Sequence, residues 1–187
     1  TVLRCHGVLS GILADAVKAR RLASNPAKGI DNLPRKMAKR HVYLTAADVE
    51  RLADAAGEHR ALVLTLAYTG VRWNEAVALT VADIEFLRRR ISVHRGATQL
   101  GVDFQVGPTK GKEKRSVPVA QTVLDELSVL CKGRAPDSLA FGDGKNFLTR
   151  PKSSGGWFVA AVKSAKVQTI TPYDLRHTAV SLSVSAG

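Results

Sequence analysis

Near its C-terminus the chain reads Thr171-Pro172-Tyr173-Asp174-Leu175-Arg176-His177-Thr178, and it ends at Gly187, ten residues after His177. Read as the opening of a last helix over about 172–185, this stretch puts Arg176 near a helix start. Two earlier stretches belong with it. One is Thr69-Gly70-Val71-Arg72-Trp73-Asn74-Glu75; the other is Thr109-Lys110-Gly111-Lys112-Glu113-Lys114-Arg115-Ser116-Val117-Pro118. Each sets a cation at a glycine turn or a helix start, so cations from three separate elements can converge.

The elements between these stretches give the fold class. Apolar residues near a 3.6-residue period predict a helix over 2–22, closed by Asn25-Pro26, because the residue before a proline is pushed out of the α region. Residues 26–42 mix Pro, Gly and Asn with Arg35, Lys36, Lys39 and Arg40 and have no period, which is linker composition. Thr45-Ala46-Ala47-Asp48 fits a capping box opening a helix to about Ala56. A second helix over about 58–68 is apolar on most sides, Gly70 reads as its terminal glycine, and a third runs from Trp73 to Leu79. Strand signals follow at Ile91–Val93, Val102–Val106 and Ser116–Val119, predicting one antiparallel sheet whose last two strands flank the lysine-rich turn 109–114. Helices resume over 120–131, 156–166 and 172–185. The expected class is α+β, mainly helical, with a small three-stranded antiparallel sheet.

Composition narrows the partners. Twenty-eight Lys and Arg against sixteen Asp and Glu leave a net charge of +12. The excess is uneven: a surplus of seven positive charges over 1–42, a deficit of one over 43–107, and a surplus of six over 108–187. Basic ends around a near-neutral middle suit a surface that wraps a polyanion, since each phosphate neutralised releases counterions. Cys5 and Cys131 have no metal-ligand spacing and read as reduced thiols of a cytoplasmic protein. No run approaches a membrane span, and there is no phosphate-cradling Walker loop, Cys/His metal cluster or acidic cluster for two-metal chemistry, so neither cofactor nor metal is expected.

A phosphodiester under attack gathers negative charge on its non-bridging oxygens. Fixed guanidiniums meet that demand, because the planar fork donates two hydrogen bonds and keeps its proton. Arg72 and Arg176 are the candidates, Arg72 with the added prospect of helix N-terminal N–H groups facing the anion. A lysine can protonate the departing 5′-oxygen; Lys110 is the candidate, with Lys112 and Lys114 as rivals. Glu75, one turn beyond Arg72, either orients it or is an exposed helix acid. His177 is a proton carrier or a structural histidine.

These three stretches resemble the tyrosine site-specific recombinases of the phage integrase family. Thr69-Gly70 to Glu75 is similar to the segment carrying that family's first catalytic arginine. Lys110 with Arg115-Ser116-Val117-Pro118 is similar to its hairpin lysine, and Asp174 to Thr178 to its Leu-Arg-His-Thr segment. Tyr173 stands where the family usually has histidine; a phenol there can donate a hydrogen bond to phosphate but is a poor base at neutral pH. The resemblance implies a catalytic set of Arg72, Lys110, Arg176, Tyr173, His177 and Glu75, with Arg35, Lys36, Lys39, Arg40, Lys112, Lys114 and Arg115 against DNA. It implies residues 1–31 as the last helix of a preceding DNA-clamping domain, 32–42 as a basic linker, and 43–187 as a catalytic domain incomplete at its C-terminus. The nucleophilic tyrosine is then expected beyond Gly187.

What the resemblance implies for activity is site-specific DNA recombination, as in phage integration and excision, through a 3′-phosphotyrosyl intermediate. Its partners would be duplex attachment-site DNA and three further copies of the chain, with room for a host DNA-bending protein and an excisionase. The setting would be the cytoplasm and nucleoid of a bacterial host, with no membrane. Two other readings stay open: a catalytically silent DNA-binding module of the same fold, and an enzyme like the type IB topoisomerases.

Overall fold

The computed structural model describes residues 1–34, 41–109 and 114–185. The chain forms two compact units, Thr1–Arg40 and His41–Gly187.

In the first unit, helix α1 spans Val2–Lys18 and stops four residues short of the expected end. The stop comes from Arg20, whose φ of 57° is left-handed. Arg21 N then donates to Ala16 O and Arg20 N to Val17 O, both at 2.9 Å, the paired bonds of a Schellman closure. Asn25-Pro26 lies beyond that closure and has another task. Asn25 Nδ2 donates to Ser10 O at 2.9 Å, and His6 Nε2 lies 2.8 Å from Ala27 O, so the segment after α1 folds back along it.

The second unit is built around one buried helix. Helix α2 (Ala46–Ala55) opens at Thr45 with the expected reciprocal bonds between Thr45 and Asp48. A 3-10 turn at Gly57–His59 leads into α3 (Arg60–Thr69), in which every residue from Ala61 to Ala67 is buried. A helix apolar on all sides must be covered on all sides. Here α2, α5 (Gln121–Leu130) and α7 (Asp174–Ser185) pack against α3, while α6 (Trp157–Ser164) packs against α2 with Phe158 fully buried. Arg60 ties three of these helices at their rim: Nε reaches Glu126 of α5, Nη2 reaches Glu50 of α2, each at 2.9 Å, and Nη1 pairs with Asp54.

Helix α3 ends at Gly70, with φ +64°. Glycine is required there twice over. The left-handed turn strains any other residue, and a Cβ would lie 3.3 Å from the Cβ of Ala179 on α7. Helix α4 covers only Trp73–Ala76, shorter than the expected run to Leu79. After Ala76 the bonds tighten to Ala78 N→Glu75 O and Leu79 N→Ala76 O, and Leu79 O is taken by Ala140 N at 2.8 Å.

The three-stranded sheet has the order β1-β2-β5, with β1 Ile84–Glu85, β2 Arg90–Val93 and β5 Arg115–Pro118 all antiparallel. Its membership differs from the sequence expectation. The strand expected at 102–106 is β4 (Asp103–Pro108), and it pairs with β3 (Arg95–Leu100) as a separate hairpin rather than with β5. Leu100-Gly101-Val102-Asp103 makes this local choice: Gly101 has φ +67°, and a two-residue loop closes the hairpin at the smallest loop entropy. The β2–β5 ladder then joins Ile91 to Val117 and Val93 to Arg115 across the excursion. Ile91 and Val93 are buried beneath it.

Gly70→Ala should lower the unfolding free energy by about 1–3 kcal/mol, from positive-φ strain plus the contact with Ala179. A drop in the urea midpoint at constant m-value would show this; an unchanged midpoint would mean that α7 yields at no cost.

A cluster of arginines around a buried glutamate

The left-handed stop of α3 sends Val71 into the core and leaves Arg72 extended at the head of α4. There Glu75 turns back on Arg72. Its Oε2 accepts the Arg72 main-chain N–H at 2.8 Å and its Oε1 accepts Arg72 Nη1 at 3.0 Å. Glu75 is therefore not an exposed helix acid; it is 3% exposed. The Arg72 main-chain N–H, expected to face an outside anion, faces this carboxylate instead.

A second arginine completes the carboxylate's surroundings. Arg115, the first residue of β5, sends Nη1 to Glu75 Oε1 at 3.0 Å and Nη2 to Oε2 at 2.5 Å. Burial pushes the Glu75 carboxyl up, but the hydrogen bonds from Arg115 and from the Arg72 backbone and side chain outweigh it. The net effect holds Glu75 below the ordinary carboxylate value.

Arg176 reaches the same neighbourhood from α7. Its Nη1 donates to Gly70 O at 2.5 Å, across 106 residues of sequence. Arg176 and Arg115 also line one cleft of about 390 Å³, with Gly70, Tyr68, Val117 and Val180 among the other walls. The first and third stretches of sequence thus meet at Gly70, and the second joins them through Arg115.

The remaining candidates divide. Asp174, buried, accepts Thr171 N at 2.8 Å and Thr171 Oγ1 at 2.7 Å, which fixes the turn into α7. Thr178 is fully buried; its hydroxyl accepts Leu44 N at 3.2 Å and lies 3.3 Å from Asp174 O, so it is structural. Tyr173 is 52% exposed, its ring edge-on to His177 one turn later at 5.2 Å. His177 is half-buried and lies 4.5 Å from the ring of His41, a neighbour with no local signal in the sequence. Lys114 is exposed, in an open groove with Arg88. Lys110, Lys112, Arg35, Lys36, Lys39 and Arg40 lie outside the described residues.

Sequence reading also missed the anchor of the β3–β4 hairpin. Arg95 donates from Nη2 to Asp83 Oδ2 at 2.7 Å and to Thr80 Oγ1 at 2.9 Å, and from Nε to Ala78 O at 3.0 Å. Its Nη1 lies 2.8 Å from His94 Nε2. A guanidinium only donates, so Nε2 accepts, and Nδ1 lies 3.4 Å from Asp83 Oδ1. The available signal was Thr80-Val81-Ala82-Asp83, a capping-box spacing like that of Thr45 and Asp48.

Residues 42–184 match the family model of the phage integrase family. No curated protein sequence matches the chain. Among solved structures, the integrase of the Tn1549 transposon, in complex with a circular intermediate DNA, is 21% identical with a TM-score of 0.74, over 97% of this chain and 66% of that one. A lambda integrase dimer bound to a core site is 16% identical with a TM-score of 0.65, over 95% and 64%. The XerA recombinase is 24% identical with a TM-score of 0.59, over 82% and 53%. These likenesses are of fold, and the chain spans two thirds or less of the length of each.

Because the folded state holds Glu75 ionised more readily than the ordinary value of 4.5, its contribution is fully present above that pH and fades as pH falls through the depressed value. Glu75→Gln should therefore destabilise the protein at pH 7, with the gap to wild type narrowing below pH 4.5. Urea midpoints taken from pH 7 to pH 3 would test it; a gap independent of pH would mean that the charge on Glu75 contributes nothing.

Proposed function

The chain belongs to the phage integrase family, and we propose that it carries the phosphate-binding part of a tyrosine recombinase catalytic domain. The single observation behind this reading is the Arg176–Gly70 bond, which joins the segments of the two arginines beside the Arg72–Glu75–Arg115 cluster. Fixed guanidiniums of this kind stabilise charge that develops in the transition state without reorganising as it forms.

In the proposed reaction a tyrosine oxygen, from a segment beyond this chain, attacks phosphorus in line with the departing deoxyribose 5′-oxygen. The new bond is a 3′-phosphotyrosyl ester, and the P–O5′ bond breaks. Arg72 and Arg176 bind the non-bridging oxygens, and Glu75 aims Arg72. Lys110 protonates the 5′-oxygen. Tyr173 supplies a hydrogen bond in the place of the family's usual histidine, and His177 steadies it or moves a proton. Attack of another strand's 5′-hydroxyl on the phosphotyrosyl ester then restores a phosphodiester, so the bond energy is conserved and no ATP is consumed.

The proposed organisation is a terminal helix of a DNA-clamping domain over 1–31, a basic linker over 32–42 and the catalytic domain from 43 onward. The partner is duplex DNA bearing attachment sites, engaged by four copies, with a host bending protein and an excisionase as further candidates in a bacterial cytoplasm. The net charge of +12 supports a polyanionic partner, as do the DNA complexes of the Tn1549 and lambda integrases. No helix among the described residues is long and apolar enough to cross a membrane.

Duplex DNA should bind the 187-residue chain with log Kobs falling against log salt at a slope steeper than about −3, reflecting more than three phosphate contacts. No covalent adduct should form on a nicked suicide substrate; an adduct would place the nucleophile within this chain. In the complete recombinase Arg176→Ala should slow cleavage by roughly 10²–10³-fold or more while DNA affinity changes only a few-fold. Cleavage at the wild-type rate would remove Arg176 from the chemistry. A complete protein that binds DNA but never cleaves it would be the silent module, and one that relaxes supercoils without joining partner sites would be a topoisomerase.

A further inference from the structure

Glu75 shares its four hydrogen bonds unequally. Arg115 presents both ends of its fork, one to each carboxylate oxygen, while Arg72 gives a single guanidinium N–H and otherwise uses its main chain. The Glu75 side chain is 4% exposed, against 39% for Arg72 and 35% for Arg115. A carboxylate this buried needs strong partners to stay ionised, and a bidentate guanidinium is the strongest available.

The geometry of that sharing decides what Arg72 can do. If the bidentate face of Glu75 were vacant, Arg72 could turn its own fork onto it, and the pair would be electrically neutral. With Arg115 in that place, two guanidiniums and one carboxylate leave one net positive charge, and Arg72 is held by one edge only. We infer that Arg115 is a positioning residue for Arg72: it occupies the bidentate face of Glu75, so that Glu75 aims Arg72 without neutralising it. This differs from a role for Arg115 as a DNA contact, and it rests on the reading of Arg72 as a phosphate ligand.

Nothing near Arg72 in sequence would reveal this. Arg115 lies 40 residues downstream of Glu75. It is brought there because β5 pairs with β2 in the register Val93 to Arg115, which sets its side chain against the head of α4. The pairing thus delivers the second cation to the carboxylate.

The experiment compares Arg115→Lys and Arg115→Gln in the complete recombinase, reading single-turnover cleavage, duplex affinity, its salt slope and the pH profile of cleavage. Lysine keeps the charge but not the fork. It should cut cleavage by roughly 10- to 100-fold, the scale of misaiming a group by about 1 Å, with affinity and salt slope unchanged. The acid limb of its pH–rate profile should move upward, because Glu75 loses the bonds that hold its carboxyl down. A lysine variant cleaving like wild type, with Arg115→Gln losing affinity and about 0.9 of the salt slope, would make Arg115 a phosphate contact and overturn the proposal. A slower lysine variant whose acid limb stays in place would also overturn it, leaving only a structural role. If Arg115→Gln does not fold, the lysine variant decides alone. Wild-type cleavage by Arg72→Lys would instead sink the reading of Arg72 itself, whatever Arg115 does.

Discussion

Gly70 is the constraint on which the second unit depends. Helix α3 has no polar face, so its neighbours must close over it completely, and α7 closes over its C-terminal end. That approach is unstrained because position 70 lacks a Cβ and accepts a left-handed turn. The same turn leads the chain to Arg72 two residues on, and its carbonyl receives Arg176. Core packing and the Arg176 contact share one backbone event.

Charge is managed around that event by unequal pairing. Arg176 donates to a neutral carbonyl and keeps its full charge, whereas Arg72 and Arg115 share a buried carboxylate. The cluster therefore retains a cationic surplus while its groups are fixed in direction. At Arg60, by contrast, three carboxylates surround one guanidinium, which serves cohesion.

Much of this was legible in the sequence. Period and caps located α2, α3, α5, α6 and α7 within a residue or two, because those signals are local: Thr45 with Asp48, the apolar run from Ala61 to Ala67, and Gly70 as a stop. The phage integrase family was legible too, from motif order. Strand pairing was not, since whether β4 joins β5 or β3 turns on a two-residue loop at Gly101-Val102 and on a β3 segment, Arg95–Leu100, with little strand character. The end of α1 was misread because an arginine, not a glycine or the later proline, takes the left-handed position. Partners distant in sequence, Arg115 for Glu75 and His41 for His177, left no local trace. An ion pair between separate elements becomes visible only when the topology is known.

The acceptor that receives Arg176 is a main-chain carbonyl. A side-chain partner can be deleted by a single codon change; the oxygen of Gly70 cannot. The placement of that arginine is accordingly insulated from most drift in its surroundings, and its vulnerability is concentrated at the arginine itself and at the backbone path through Gly70.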